Sequence, residues 1–203
     1  MPADRGYHHG DLRAALIKAS FEQLAESGLQ RFSVAAVARR LGVSSAAPYR
    51  HFPDRDHLLS AVSAAAAHDL RAAIVVAADA AGADPAARLA AAAGAYVRYV
   101  VRTGAGFHVI YAGELYRVPD DNRREQTRAL MSTLLELATA TDSPSYREVV
   151  SLVEATVAVA HGYTSLFADG FFARNAGTVD DIAARATAAA RALQVTAAPP
   201  SGS

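Results

Sequence analysis

Four consecutive residues behind Pro48, Tyr49-Arg50-His51-Phe52, put a phenol, a guanidinium, an imidazole and a benzyl ring on one short stretch of chain. The first three end in hydrogen-bond donors, and exposed donors of this kind suit phosphate oxygens and base edges. Arg50 has the geometry to read a guanine edge, with a phosphate as its alternative target, while Tyr49 and His51 suit phosphates. Around them stand Ser33, Ser44, Ser45, Ala46, Ala47 and Arg55. The hydroxyls can reach a sugar-phosphate backbone, the alanines can touch thymine methyls and allow close approach, and Arg55 adds a fixed charge at a helix start.

A second set of reactive side chains lies further on: Tyr96, Tyr99, Phe107, His108, Tyr111, Tyr116 and His161. Aromatic bodies with polar tips, set among alanines and valines, suit an apolar pocket that binds a small molecule, and they equally suit an ordinary core with its polar tips at the rim. Catalytic patterns are missing. There is no G-x-S-x-G, no Glu-x-x-His pair and no phosphate-binding glycine loop, since "TGAGF" lacks the third glycine and a preceding strand. The one carboxylate-x-x-His, Asp54 to His57, is explained by helix capping. His8 and His9 are adjacent, so their side chains diverge, and no third ligand accompanies them; neither a metal nor a cofactor is expected. The chain is read as a binding protein and not an enzyme.

Composition bounds the partners. The 203 residues are 52% hydrophobic, enough for a substantial core, and contain no cysteine. The net charge is zero, which argues against a simple basic nucleic-acid binder, yet the segment through His57 carries two more cations than carboxylates and the remainder two fewer. "MPADRGYHHGDL" lacks the apolar region of a signal peptide, and no uninterrupted apolar run reaches membrane-spanning length, so a cytoplasmic protein without a membrane partner is expected.

The elements that must position these residues are helices, because strand signals are nearly absent. Asp11 can cap a first helix carrying Leu12, Leu16, Ile17, Phe21 and Leu24, which stops at Gly28. Ser33 caps a short helix in which Val34, Val37, Ala38 and Leu41 share one face, and Gly42 ends it. With Ser45 as cap, Pro48 falls at the third position of the next short helix, where its missing N–H costs nothing. A long helix runs from Arg55 to about Ala81 with Leu58, Leu59, Val62, Leu70, Ile74 and Val75 inward. Asp84 and Pro85 restart the chain through Val101. A short helix follows from Phe107 to Tyr116, then one from about Asn122 to Ala140, one opened by Ser143-Pro144 and reaching about Ala168, and one opened by Thr178 and Asp181. The fold class is all-α, with about nine helices. The expected organisation is a flexible arm over 1–10, a DNA-binding unit over 11–56, a ligand-binding and dimerisation unit over 57–195, and a disordered tail over 196–203. The helix ending near Ala168 is apolar nearly all round. Its second stripe, Leu152, Thr156, Val159, Tyr163 and Leu166, is the expected two-fold dimer interface, burial within one chain being the alternative.

A short helix, a tight turn at Gly42-Val43-Ser44 and a second short helix form a helix-turn-helix. From "GYHHGDL" through "FSVAAVARRLGVS", "YRHF" and "PDRDHLL", the chain resembles the N-terminal domain of the TetR family of transcriptional regulators over roughly residues 7 to 62. The resemblance implies a homodimer that places the second helix of each motif in the major groove of a palindromic operator, and an effector domain that binds a small molecule. It implies DNA contacts for Ser33, Ser44, Ser45, Ala46, Ala47, Tyr49, Arg50, His51 and Arg55. Arg5, Tyr7, His8 and His9 precede the first helix as a flexible arm that can enter the minor groove or follow the backbone, a disordered tail without contact being the alternative. The family often has lysine, glycine, threonine and an aliphatic residue where this chain has Ser45, Ala46, Ala47 and Pro48, which leaves the operator sequence open. "AVAHGYTSLFADG" resembles a helix of the WHG-type subgroup, with Ala160 in place of its tryptophan. The expected effector contacts are Tyr96, Tyr99, Phe107, His108, Tyr111 and His161. The expected function is a ligand-responsive DNA-binding regulator, most simply a repressor. The alternative is a helical small-molecule-binding dimer that does not bind DNA.

Overall fold

The computed structural model describes residues 12–141, 145–173 and 178–196. Eight α-helices occupy them: α1 Leu12–Ser27, α2 Val34–Arg40, α3 Arg55–Ala80, α4 Pro85–Thr103, α5 Phe107–Ile110, α6 Asp121–Thr139, α7 Tyr146–Ala168 and α8 Val179–Thr196. Three 3₁₀ turns, at Leu29–Arg31, Pro48–Arg50 and Gly113–Arg117, complete the set, and no strand occurs among the described residues. Asp11, Ser143-Pro144, the arm over 1–10 and residues 197–203 of the expected tail lie outside the described residues; Thr196 belongs to α8.

The helices begin where side chains satisfy their free N–H groups. Asp54 accepts from His57 N–H at 2.9 Å, Asp84 from Ala86 N–H at 3.1 Å and Asp120 from Arg123 N–H at 2.9 Å. Ser145 and Glu148 form a reciprocal capping box at the start of α7, and Thr178 pairs with Asp181 at the start of α8.

One departure concerns the helix expected from Ser45. The chain there makes a turn and then a 3₁₀ turn at Pro48–Arg50, with Ala47 at the cap position and Pro48 in the first place instead of the third. Pro48 stands at a first helical position, where no N–H is needed, and the bonds around it close three-residue turns: Ala47 N–H bonds Ser44 C=O at 3.0 Å, and Arg50 N–H bonds Ala47 C=O at 3.3 Å. The expected ninth helix is therefore not an α-helix. The helix expected over Phe107–Tyr116 likewise divides, into α5 and the 3₁₀ turn at Gly113–Arg117.

A single hydrophobic core runs through the molecule, from Leu16, Phe32, Val37 and Phe52 at the N-terminal end to Leu89, Leu130 and Ile182 at the other. Helix α3 threads it, with Leu58, Leu59, Val62, Leu70 and Ile74 buried; Val75, expected inside, is 37% exposed. Each of the buried five contributes about 1.5–3 kcal/mol. Contrary to the sequence expectation, α3 and α7 both have the length and mean hydropathy of a bilayer span. Half of the apolar window of α3 is buried in the chain, as a core helix requires, whereas only 22% of that of α7 is.

The end of α4 ties the effector side to α1. Gly104 closes α4 with φ +65°, and a methyl placed there would sit 2.4 Å from the Leu24 carbonyl carbon and the Ala25 nitrogen. Gly28 has φ +70° but nothing within 4 Å. Gly28 also has ψ 172°, which places it outside the left-handed helical region in one essentially confined to glycine, so Gly28→Ala is expected to cost about 1–3 kcal/mol from backbone strain, and Gly104→Ala more, because backbone must also move. Midpoints of urea unfolding for the two variants test the difference.

Candidate nucleic-acid interface and effector pocket

The helix-turn-helix region is held as a compact corner. Val37, Pro48 and Phe52 are buried, while Leu41 and Val43 are half-buried in the turn. The amide of buried Gln23 pairs with the peptide of Ser33, its oxygen accepting from Ser33 N–H at 3.2 Å and its nitrogen donating to Ser33 C=O at 3.1 Å. This pins α1 to the start of α2. Arg40 reinforces it on the surface with ion pairs to Glu22 and Glu26, worth little individually in water. Ser33 occupies the cap position of α2 as expected, but its hydroxyl makes no capping bond.

Burial of Pro48 turns its neighbours outward, because successive residues of a 3₁₀ turn point about 120° apart. Tyr49 is 54% exposed, and Arg50 and His51 are exposed as well. Ser44, Ser45 and Ala46 are exposed beside them, and Ala47 is half-buried. The Arg50 side chain has no ion-pair or hydrogen-bond partner among the described residues. Neither has Arg39 on α2, which the motif reading did not single out; its only sequence signal is an exposed position beside the turn glycine.

Arg55 makes contacts within the protein that the sequence did not show. Its guanidinium donates to Phe32 C=O at 3.5 Å and Leu29 C=O at 3.4 Å, pairs with Asp56 at 3.2 Å and Glu114 at 3.8 Å, and stacks 5.8 Å from the Phe32 ring. The side chain remains 38% exposed, so these contacts hold it beside the turns without covering it. It joins the turns at Leu29–Arg31 and Gly113–Arg117.

Five of the six expected effector residues converge. The Tyr96 hydroxyl accepts from Phe107 N–H at 3.1 Å and lies 3.2 Å from His161 Nδ1, to which a neutral phenol can donate. Rings of Tyr96 and Phe107 stack at 5.0 Å, Phe107 meets Tyr111 at 5.6 Å, and His108 meets His161 at 6.5 Å. Gly106 makes this approach feasible, since a methyl there would lie 2.5 Å from the Tyr96 hydroxyl. Tyr99 is not part of the cluster: its ring lies under Arg102, 5.9 Å away, and its buried hydroxyl has no hydrogen-bond partner among the described residues. Two further placements differ from the sequence reading. His161, expected in the interior, is exposed, and Thr156, expected at a dimer interface, is 3% exposed and turned into the core.

Beneath the cluster lies an apolar cavity of about 10 Å³, lined by Ala93, Tyr96, Phe107, Leu134, Thr156 and Ala160 among others. This holds about one water molecule. A ligand entering here must part α4 from α7. Burial raises the Tyr96 phenol above its ordinary value, so it stays protonated at neutral pH. Partial withdrawal from water, then the charge of His161, lower His108 below its ordinary 6.5. With its folded value depressed, the folded state binds fewer protons than the unfolded chain, so this histidine favours folding above pH 6.5 and opposes it progressively as the pH falls through that range. Side-chain ¹H–¹⁵N spectra should show His108 titrating below 6.5, with the midpoint rising towards it in His161→Gln.

The N-terminal segment, residues 16–62, matches the family model for bacterial regulatory proteins of the tetR family, and residues 89–193 match that for the tetracyclin repressor-like C-terminal domain. The WHG-type subgroup is not confirmed by these matches. Among solved structures, a protein of unknown function from Rhodococcus sp. RHA1 is 28% identical with a TM-score of 0.71, over 93% of this chain and 98% of that one. A TetR-like transcriptional regulator from the same organism shares the fold at 17% identity and TM-score 0.61, over 96% and 98% of the two chains. A protein from Shewanella sp. PV-4 assigned to the tetR family shares it at 17% and 0.62, over 89% and 94%. No curated protein gives a significant sequence match. Joined to the helix-turn-helix corner and the helical bundle behind it, the two family matches establish that this chain belongs to the TetR family of DNA-binding transcriptional regulators.

Proposed function

We propose that the protein is a homodimeric repressor of the bacterial cytoplasm, released from a palindromic operator by a small molecule. Residues 11–56 are its DNA-binding unit and 57–195 its ligand-binding and dimerisation unit. The observation that carries the reading is the outward fan of Tyr49, Arg50 and His51 around buried Pro48, with Arg50 unpaired within the protein. Arg50 reads a base edge in the major groove, and Tyr49, His51 and the hydroxyls of Ser33, Ser44 and Ser45 hold phosphates. Ala46 and Ala47 meet thymine methyls. Arg55 acts in this scheme through protein contacts, connecting the DNA-binding unit to Glu114.

The dimer is supported by α7. Leu152, Val159 and Tyr163 are only partly covered by their own chain, Leu166 is 39% exposed, and Phe171 just beyond the helix is 71% exposed. Apolar surface of this extent, continued by the Tyr163–Phe172 stack at 5.8 Å, calls for a second copy related by a two-fold axis. The effector site is the cluster of Tyr96, Phe107, His108, Tyr111 and His161 over the apolar cavity. A ligand parting α4 from α7 displaces α5 and the turn that carries Glu114, and so biases the position of Arg55. Such a ligand shifts the DNA-binding equilibrium only by its differential affinity for the two arrangements.

Zero net charge favours the second reading, a helical small-molecule-binding dimer without DNA binding. Titration of the purified protein with DNA flanking its own gene, and with a selected random pool, separates the two. Competitor-resistant binding whose log affinity falls with log salt, by about 0.9 per phosphate neutralised, is expected; failure with both DNAs overturns the regulator reading. Tyr49→Ala is expected to weaken binding to all sequences, and Arg50→Ala to cost about 1–3 kcal/mol and relax sequence preference. Arg55→Ala should lower the unfolding midpoint while leaving the salt slope unchanged, a fall of about 0.9 marking instead a lost phosphate contact, measured by filter binding over a salt series.

A further inference from the structure

Along the N-terminal half of α6, beside Tyr111 and the turn at Gly113–Arg117, runs an open groove of about 410 Å³. It is separate from the apolar cavity under Tyr96, and its lining is one-sided in charge: Arg123, Arg124 and Arg128, with no carboxylate. Met131 and the rings of Tyr111 and Tyr116 supply apolar surface.

Arg123 is the informative residue. It is 5% exposed, and one guanidinium nitrogen donates to Leu115 C=O at 2.8 Å, while its Nε is buried with no hydrogen-bond partner among the described residues. A buried cationic donor left unpaired is costly, and a bound acceptor would offset that cost. The same guanidinium lies 5.9 Å from the Tyr116 ring, which is itself 68% exposed. Arg124 is held by Asp121 at 2.7 Å, whereas Arg128 is exposed and its side chain has no partner among the described residues. One buried and one exposed guanidinium, five residues apart on α6, flank a groove lined also by an aromatic ring and a thioether.

We propose that this groove is a binding site for an organic anion, a carboxylate carried on a flat apolar body, with the carboxylate between Arg123 and Arg128 and the body against Tyr116 and Met131. Planar guanidinium donors match a carboxylate, and the exposed ring gives the apolar body a face to stack on. Inorganic phosphate shares the charge but leaves the ring and the thioether unused. The site stands on these residues alone, whether or not the cavity at Tyr96 takes a ligand.

Calorimetric titration of the full chain with benzoate, benzamide and inorganic phosphate tests it. Saturable benzoate binding is expected below roughly 10 mM, with benzamide and phosphate each weaker by about tenfold or more. Arg128→Gln, an exposed change that leaves the circular dichroism spectrum intact, should weaken benzoate by about tenfold, and Arg124→Gln by less. Arg123→Met should abolish binding if it folds; Arg128→Gln carries the test if it does not. No saturation with benzoate, equal affinity for benzamide or phosphate, or indifference to Arg128→Gln would overturn the site.

Discussion

Burial of α3 along both its DNA-proximal and distal turns is the constraint from which most of the other contacts follow. Its first turns carry Leu58, Leu59 and Val62 into the same core as Leu16, Val37 and Phe52, and its later turns carry Leu70 and Ile74 among the helices behind. One continuous core therefore reaches from the helix-turn-helix corner to the helices behind it. A helix so placed needs small residues where neighbours press closest, and Ser60, Ala61, Ser63, Ala64, Ala66 and Ala67 provide them. The two buried serines also serve as anchors: Ser60 donates to Asp120 at 2.7 Å and Ser63 to Ile110 C=O at 2.8 Å, which position the start of α6 and the end of α5. The aromatic cluster, the arginine groove and the Glu114 contact all hang from those two attachments.

Contacts continue from the aromatic cluster to the helix-turn-helix corner. The residues around the aromatic cluster, Phe107 to Tyr111, run directly into the turn that carries Glu114, and Glu114 reaches Arg55 across to Leu29 and Phe32. Gly104 adds a second junction, with the end of α4 against the backbone of α1. Tightly packed junctions of this kind resist continuous deformation.

Capping and apolar periodicity were legible residue by residue. Asp54, Asp84 and Thr178 act where their types and positions predict, because a cap involves only its own helix turn. The burial of Leu58 through Ile74 was legible for the same reason, since spacing alone defines a face. Val75 shows the limit: a stripe read from spacing is wider than the strip a neighbour covers. Thr156 is the same error in reverse, a residue assigned to an outer stripe whose hydroxyl instead satisfies Leu152 C=O at 2.8 Å while its body faces the core. At Pro48 the missing N–H was foreseen, but the three-residue turns around it and the proline's burial were not.

Sequence alone determined the helical class, the starts of α3, α4 and α8, the donor-rich stretch at Tyr49–His51 and the family resemblance, because each depends on interactions within a few residues of chain. Tertiary structure decided which distant groups meet. That Arg55 meets Phe32, Leu29 and Glu114, that Tyr96 joins His161 while Tyr99 does not, and that Arg123 is buried beside an open groove are outcomes of how α3, α4, α6 and α7 pack. Side-chain type states what a residue can bind; only the packing of helices distant in sequence settles which partner comes within hydrogen-bonding distance.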